Sequence, residues 1–190
     1  MPPWDELSPA QREAADELRQ GPRGDITGPF VALLRSPELL RRVQAVGTHL
    51  RFTDLAISPA VRELIVLAVA RFWEQAFEWG HHLPLAVAAG VPESACADLL
   101  VGERPHGLSE ELDTALRAVM QLMNRHRIDE ETYRRAVTTF TEAGIVEITT
   151  IAGYYTTLAM IMNMAEAPPP TAVVFGTGTD WLTYGTDSAP

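Results

Sequence analysis

The residues Glu74-Gln75-Ala76-Phe77-Glu78-Trp79-Gly80-His81-His82 are the densest polar cluster in an otherwise apolar stretch of the chain. Glu74, Glu78 and His82 lie four apart, so a helix would carry all three on one face. A carboxylate four residues from an imidazole is within hydrogen-bond reach. In a low-dielectric pocket such a pair can be tuned as an acid and a base. The same spacing also decorates solvated helices. Context favours a pocket, because the cluster follows an apolar segment and mixes Phe72, Trp73, Phe77 and Trp79 with the charges. Aromatics of this kind equally build cores. Arg62 and Glu63 stand at the start of the apolar segment and Arg71 at its end.

Other chemistries have less to work with. Glu78-x-x-His81 has the spacing of a carboxylate-bridged di-iron site, which needs a second such pair on another helix. The other match, Glu103-x-x-His106, falls in a Pro/Gly-rich loop, so no metal is expected. Phe175-Gly176-Thr177-Gly178-Thr179 neither follows a strand nor opens a helix, and so is not a dinucleotide fingerprint. No Gly-x-Ser-x-Gly elbow is present. Tyr154 and Tyr155 could offer one hydroxyl to a pocket or simply pack. Cys96 is the one cysteine and has no basic neighbour, which reads as a small core residue.

Composition narrows the field further. The chain has 190 residues, with 15 arginines, no lysine and 25 acidic residues, for a formal charge of −10. Lysine Schiff bases, pyridoxal phosphate attachment and a P-loop lysine are therefore impossible. A substrate anion must be held by Arg, a helix N-terminus or backbone N–H groups. The acidic balance argues against nucleic-acid binding and against a polybasic membrane docker. A single cysteine fits a reducing cytoplasm. Met1-Pro2-Pro3-Trp4-Asp5-Glu6 shows neither the basic start nor the apolar run of a signal peptide. The longest apolar stretches read as charge-broken or too short to span a bilayer.

Helix punctuation sets the frame for these residues. Ser8-Pro9, Ser36-Pro37 and Ser58-Pro59 each read as an N-cap followed by proline at N1. They predict helices to about Gln20, to about Arg51, and over the apolar run Ala60 to Ala70. A further helix is expected from about Glu74 to Ala89, kinked near Gly80 by Pro84 and closed by Gly90. Pro92 to Leu100 reads as a short helix, with a loop over 102–108. Ser109 caps a helix to about Arg127, and Asp129 caps one to about Glu142, closed by Ala143-Gly144. The last helix is expected from about Val146 to Ala165, before Pro168-Pro169-Pro170. The expectation is an all-α, single-domain helical bundle. Its parts are an N-terminal helix and loop (1–27), a helical domain (28–165) and a Pro/Thr/Gly-rich tail (166–190).

Gly28-Pro29-Phe30, then Leu34-Arg35-Ser36-Pro37-Glu38-Leu39, Arg62-Glu63-Leu64, Glu78-Trp79-x-x-His82 and Ala89-Gly90-Val91 together resemble the carboxymuconolactone decarboxylase family. That family shares the alkylhydroperoxidase D-like fold, and the resemblance covers about residues 28–165. It implies protomers that assemble through helices, as trimers or hexamers. The family's peroxidase branch uses a Cys-x-x-Cys pair, a downstream His and an upstream Glu. Here those positions fall on Gln75 and Glu78, on His82 and on Glu63, with Phe77 between the lost cysteines. Without thiols the centre cannot run disulfide chemistry. The decarboxylase branch acts on a small acidic lactone without metal or organic cofactor.

The expected function is thus a cofactor-independent acid–base enzyme, best a decarboxylase of a small carboxylated lactone or oxo-acid. An isomerase, cyclase or hydrolase on the same pocket, or a non-catalytic small-molecule binder, are the alternatives. His82 is expected to act as proton donor or oxyanion partner, with Glu78 or Glu63 setting its tautomer and raising its pKa. Arg62 or Arg71 would bind a substrate carboxylate, and Gln75, Phe77, Trp79, His81 and Tyr154 would complete the pocket. A homo-oligomer is expected from Met120, Met123, Met160, Met162 and Met164, which offer adaptable apolar surface. The tail, with Val173-Val174-Phe175 and Trp181, would pack across a subunit or be disordered.

Overall fold

A computed structural model describes residues 3–186. Eight α-helices and two 3₁₀ turns make up the described residues, with no strand among them. The helices are α1 (Pro9–Gln20), α2 (Pro29–Leu33), α3 (Pro37–Phe52), α4 (Pro59–Phe72), α5 (Ala76–Ala88), α6 (Glu93–Val101), α7 (Glu110–Arg125) and α8 (Glu130–Met164). The turns are Trp4–Glu6 and Asp180–Thr183.

The Ser–Pro signals start helices as expected. Ser8 forms a capping box with Gln11, and Ser58 accepts from the Val61 N–H. Ser36 makes no side-chain cap, so there Pro37 alone marks the start. Continuous burial from Glu63 to Arg71 places α4 at the centre of the protein. It packs on α5, α6, α7 and α8, while α1 lies on α3 and α2 leans on α3 and α8. A helix apolar on every side must be enclosed by others. α4 thereby becomes a rigid post for the residues at its two ends.

Five details depart from the sequence expectation. α2 occupies the stretch just after the Gly/Pro loop, where no helix was expected. α5 begins at Ala76, because Gln75 caps it with its own side chain, accepting from the Phe77 N–H. Glu74 sits in the preceding turn at φ +47°, exposed and paired with Arg71 at 3.4 Å, so it does not share a face with Glu78 and His82. Pro84 lies within α5, as expected. The last two helices are continuous except at Thr141, whose φ of 64° and ψ of 172° break the run. Gly144 is not the stop. It is buried, and a Cβ there would stand 2.7 Å from Phe140 Cβ and 3.3 Å from Ile57 Cγ2, so it marks close packing.

α8 also corrects the reading of the apolar stretches. It contains a window long and apolar enough to cross a membrane, and 50% of that window is buried inside the protein, in keeping with a core helix.

The tail packs on its own chain. The Gly176 N–H donates to the Leu100 carbonyl at 2.9 Å and the Gly178 N–H to that of Val101 at 3.1 Å. Gly102 and Gly178 meet backbone to backbone, and a Cβ on Gly102 would overlap the Gly178 carbonyl. Trp181 is buried, the Tyr184 hydroxyl bonds Asp113, and the Gln121 amide donates to the Gly185 carbonyl. Residues 187–190, also assigned to the tail, lie outside the described residues. Arg71 holds this arrangement together. Its Nε donates to the Leu99 carbonyl at 3.0 Å, and its Nη2 to the carbonyls of Gly176 at 2.7 Å and Gly178 at 3.3 Å. Arg71 is therefore a clasp for the tail and not a substrate ligand. Arg71→Met strips three carbonyls of their donor and is expected to cost roughly 3 kcal/mol. Proteolysis near Thr177 should quicken with it. Unchanged melting and unchanged cleavage would remove the clasp role.

Candidate active site

α4 and α5 bring the two expected partners together. His82 Nδ1 lies 2.6 Å from Glu63 Oε2, and both side chains are buried. The other Glu63 oxygen accepts from Arg62 Nε at 3.1 Å, and Arg62 Nη1 donates to the Arg51 carbonyl at 3.5 Å. Arg62 thus steadies the carboxylate from behind and does not line the cavity. Burial alone would raise the Glu63 pKa, but the bonds from His82 and Arg62 hold it below the usual carboxylate value. His82 goes down, to about 4, because burial disfavours its charged ring more than Glu63 favours it. The expectation of a raised His82 pKa is thereby corrected, and the cause is desolvation. At neutral pH Glu63 is an anion that only accepts, so the imidazole proton sits on Nδ1 and Nε2 carries a free lone pair. His82 is a base in this state and has no Nε2 proton to donate.

Glu78 is the complement of this pair. It is 3% exposed, in the first turn of α5, and neither carboxylate oxygen has a hydrogen-bond partner. Burial raises its pKa well above the usual value. Burial therefore favours the protonated, neutral form of Glu78, and Glu63, not Glu78, orients His82. Two carboxyl groups in one site are driven apart by their surroundings, one ionised and one protonated, the usual arrangement of an acid beside a base.

These groups border a cavity of about 270 Å³. That volume suits a small metabolite. Phe77 and His81 stack at 6.2 Å on its wall, and the Tyr155 ring stands edge-on to His82 at 5.1 Å. Tyr154 also lines it, with a buried hydroxyl that has no partner and a pKa pushed by burial up to about 12. Two arginines reach it, Arg23 from the Gly/Pro loop and Arg51 from the end of α3. A groove of about 980 Å³ adjoins the cavity and shares Thr27, Phe77 and Met162 with it. Gly28, at φ +54°, makes that wall possible, since a Cβ there would stand 2.5 Å from the Phe77 ring.

Of the residues singled out by sequence, Glu78, His81, His82, Phe77 and Tyr154 line the cavity, and Glu63 stands directly behind His82. Gln75 and Trp79 do not. Gln75 caps α5 and donates to Asn163 Oδ1 at 2.7 Å, and Trp79 is buried edge-on to Phe175 at 5.7 Å. Tyr155, named beside Tyr154 in the sequence, also lines the cavity, whereas Arg23 and Arg51 were missed. The absence of lysine restricts fixed positive charge to Arg, yet nothing local ties Arg23 or Arg51 to His82. Cys96 lies on α6, outside the cavity, with its thiol pushed up to about 11 by burial. Among the described residues no group of three or more His, Cys, Asp or Glu could hold a metal ion.

Residues 37–121 match the carboxymuconolactone decarboxylase family. The fold matches a solved structure described as an alkylhydroperoxidase AhpD core, an uncharacterized peroxidase-related protein from Ralstonia eutropha JMP134. The TM-score is 0.71 at 15% identity, over 99% of this chain and 95% of that one. No curated protein matches the chain. The matched segment carries Arg51, Glu63, Glu78 and His82, while Arg23, Tyr154 and Tyr155 lie outside it.

Proposed function

We propose that this chain, with its carboxymuconolactone decarboxylase segment, is a cofactor-independent acid–base enzyme that decarboxylates a small carboxylated lactone or oxo-acid. The observation that carries the reading is Glu78, a buried and unpartnered carboxylic acid in the same small cavity as a neutral His82. Loss of CO₂ breaks one carbon–carbon bond and leaves its electron pair on the substrate. A conjugated carbonyl takes up that pair as an enolate, whose oxygen needs a hydrogen-bond donor or a cation. Arg51 supplies such a cation on the cavity wall. Glu78 then gives its proton to carbon and regains one from water, so each turnover consumes one proton.

Neutral His82 supports a second reading, isomerisation or cyclisation. Its free Nε2 can remove a proton next to a carbonyl, which Glu78 returns at another carbon. Thiol peroxidase chemistry has no sulfur here, since Gln75 and Glu78 stand where the thiols would be and Cys96 is outside the cavity. The test is turnover of carboxylated lactones and β-oxo acids by chelator-treated protein in D₂O. CO₂ release with one deuterium placed on carbon is expected, and it should vanish in Glu78→Gln. Deuterium exchange without CO₂ would select the isomerase reading. Binding with neither would leave a small-molecule binder.

A homo-oligomer, trimer or hexamer, belongs to the same proposal. Val146, Met160 and Met164 expose 66%, 53% and 74% of their surface along α8 and offer an apolar face, whereas Met120 and Met162, expected to contribute, are buried in the core. Light scattering should return a multiple of 20.9 kDa, and a monomer would end the idea.

A further inference from the structure

The catalytic reading uses Glu63, Glu78 and His82, and leaves one set of buried polar groups in the cavity unexplained. Arg23 Nε and Nη2 are buried and have no hydrogen-bond partner, and neither has the Tyr154 hydroxyl. The Arg23 guanidinium lies flat on Phe30, with Cζ 4.3 Å from the ring centroid. Stacking occupies the face of the guanidinium and leaves its in-plane N–H groups free to bind. Buried donors of this kind are costly unless something accepts from them.

The two residues converge on one spot. Gly47, on α3, is buried, and a Cβ built there would overlap the Tyr154 hydroxyl and stand 3.1 Å from Arg23 Nη2. The missing side chain of Gly47 thus leaves room for the Tyr154 hydroxyl, which it seats on the same side of the cavity as Arg23 Nη2. Arg51, on the same cavity, adds positive charge and no competing carboxylate bonds Arg23. A planar anion with two oxygens fits such donors better than a neutral group does.

We propose that Arg23 and the Tyr154 hydroxyl, which Gly47 makes room for, form a carboxylate subsite on the cavity wall, which fixes the orientation of the substrate relative to Glu78 and His82. Arg23 and Tyr154 lie outside residues 37–121, so this chain sets its specificity with residues beyond the shared segment. The subsite rests on the proposed function for its substrate, but its binding chemistry can be measured without any reaction.

The probe is levulinate, a small oxo-acid, with its uncharged methyl ester as control, titrated calorimetrically into the full chain. Wild-type protein should bind levulinate and not the ester. Arg23→Gln should weaken binding roughly tenfold to a hundredfold, the loss of a charge-assisted pair. Tyr154→Phe should weaken it less. Gly47→Ala keeps every charge but displaces the Tyr154 hydroxyl, and should also weaken binding, which covers the case that Arg23→Gln does not fold. Equal binding of acid and ester, no binding of levulinate by the wild type, or Arg23→Gln and Gly47→Ala proteins that keep wild-type affinity would each overturn the subsite. Arg23-dependent binding without CO₂ release removes the decarboxylase reading and keeps the subsite. CO₂ release with an unchanged KM in Arg23→Gln does the reverse.

Discussion

Glu78→Gln is expected to abolish turnover and yet to melt above the wild type at pH 7 to 8. The two effects share a cause. Below the unfolded carboxyl's ordinary pKa of 4.5, Glu78 is protonated in both states and contributes no pH dependence. As pH rises, the unfolded chain loses that proton while burial keeps it on the folded chain. The folded state then binds more protons, so stability falls with pH until the raised folded pKa is reached. Gln carries no proton to lose and is spared this penalty. The gap between variant and wild type should be small near pH 4 and widen toward pH 8. Each kcal/mol should move the melting temperature by roughly 2–4 °C in a chain of this size. Turnover should fall by roughly 10² to 10⁴, the range for loss of a general acid. An active variant, or a melting gap independent of pH, would show that the buried acid is not the proton source.

His82→Asn is expected to lower kcat by a similar roughly 10² to 10⁴ while keeping the fold, since Asn can still bond Glu63. The pH profile separates a base from a spacer. His82 must be neutral to act, and its pKa is lowered to about 4, so the acid limb of kcat should fall only near that value. The alkaline limb should mark ionisation of Glu78. Stability follows the same groups with a worked sign. Above pH 6.5 the His82 ring is neutral in both states. From pH 6.5 down to about 4 the unfolded ring takes up a proton that the buried ring refuses, so the fold weakens. Glu63, held below its usual pKa, acts in the same direction at lower pH. Glu63→Gln should reduce kcat and shift the acid limb, because the proton on Nδ1 loses its ionised acceptor. A wild-type acid limb near pH 6.5, or full activity in His82→Asn, would end the base assignment.

The helical frame was legible because the chain punctuates itself. Ser8-Pro9, Ser36-Pro37 and Ser58-Pro59 each start a helix where they stand. The family resemblance paired Glu63 with His82 across two helices, which local spacing could not do. Glu74 was misplaced because Gln75, an uncommon cap residue, starts α5 one turn position later than the polar pattern suggests. Gly144 read as a stop, since a sequence does not distinguish a glycine needed for a turn from one needed for close packing. Arg23 and Arg51 stayed hidden for a similar reason. A loop arginine has no periodicity, and only the folded chain shows which charges have been left without a partner. The direction of the His82 shift was also beyond reach, because it depends on how completely the ring is enclosed.

The clasp between Arg71 and the carbonyls of Gly176 and Gly178 orders events during synthesis. Arg71 sits at the end of α4, the central post, but its partners leave the ribosome more than a hundred residues later. Until they do, a nascent chain holds a guanidinium at its core with one backbone acceptor, Leu99, and no closure over α6. α8, which supplies Tyr154 and Tyr155, is also late to emerge. Residues 37–121 therefore leave the ribosome before the helix that covers them, and the faces of α4 and α7 that pack on α8 have no cover until it follows. A ribosome stalled with residue 128 just outside the tunnel would present that intermediate, and release of the remaining residues, α8 and the tail, would convert it into the finished pocket.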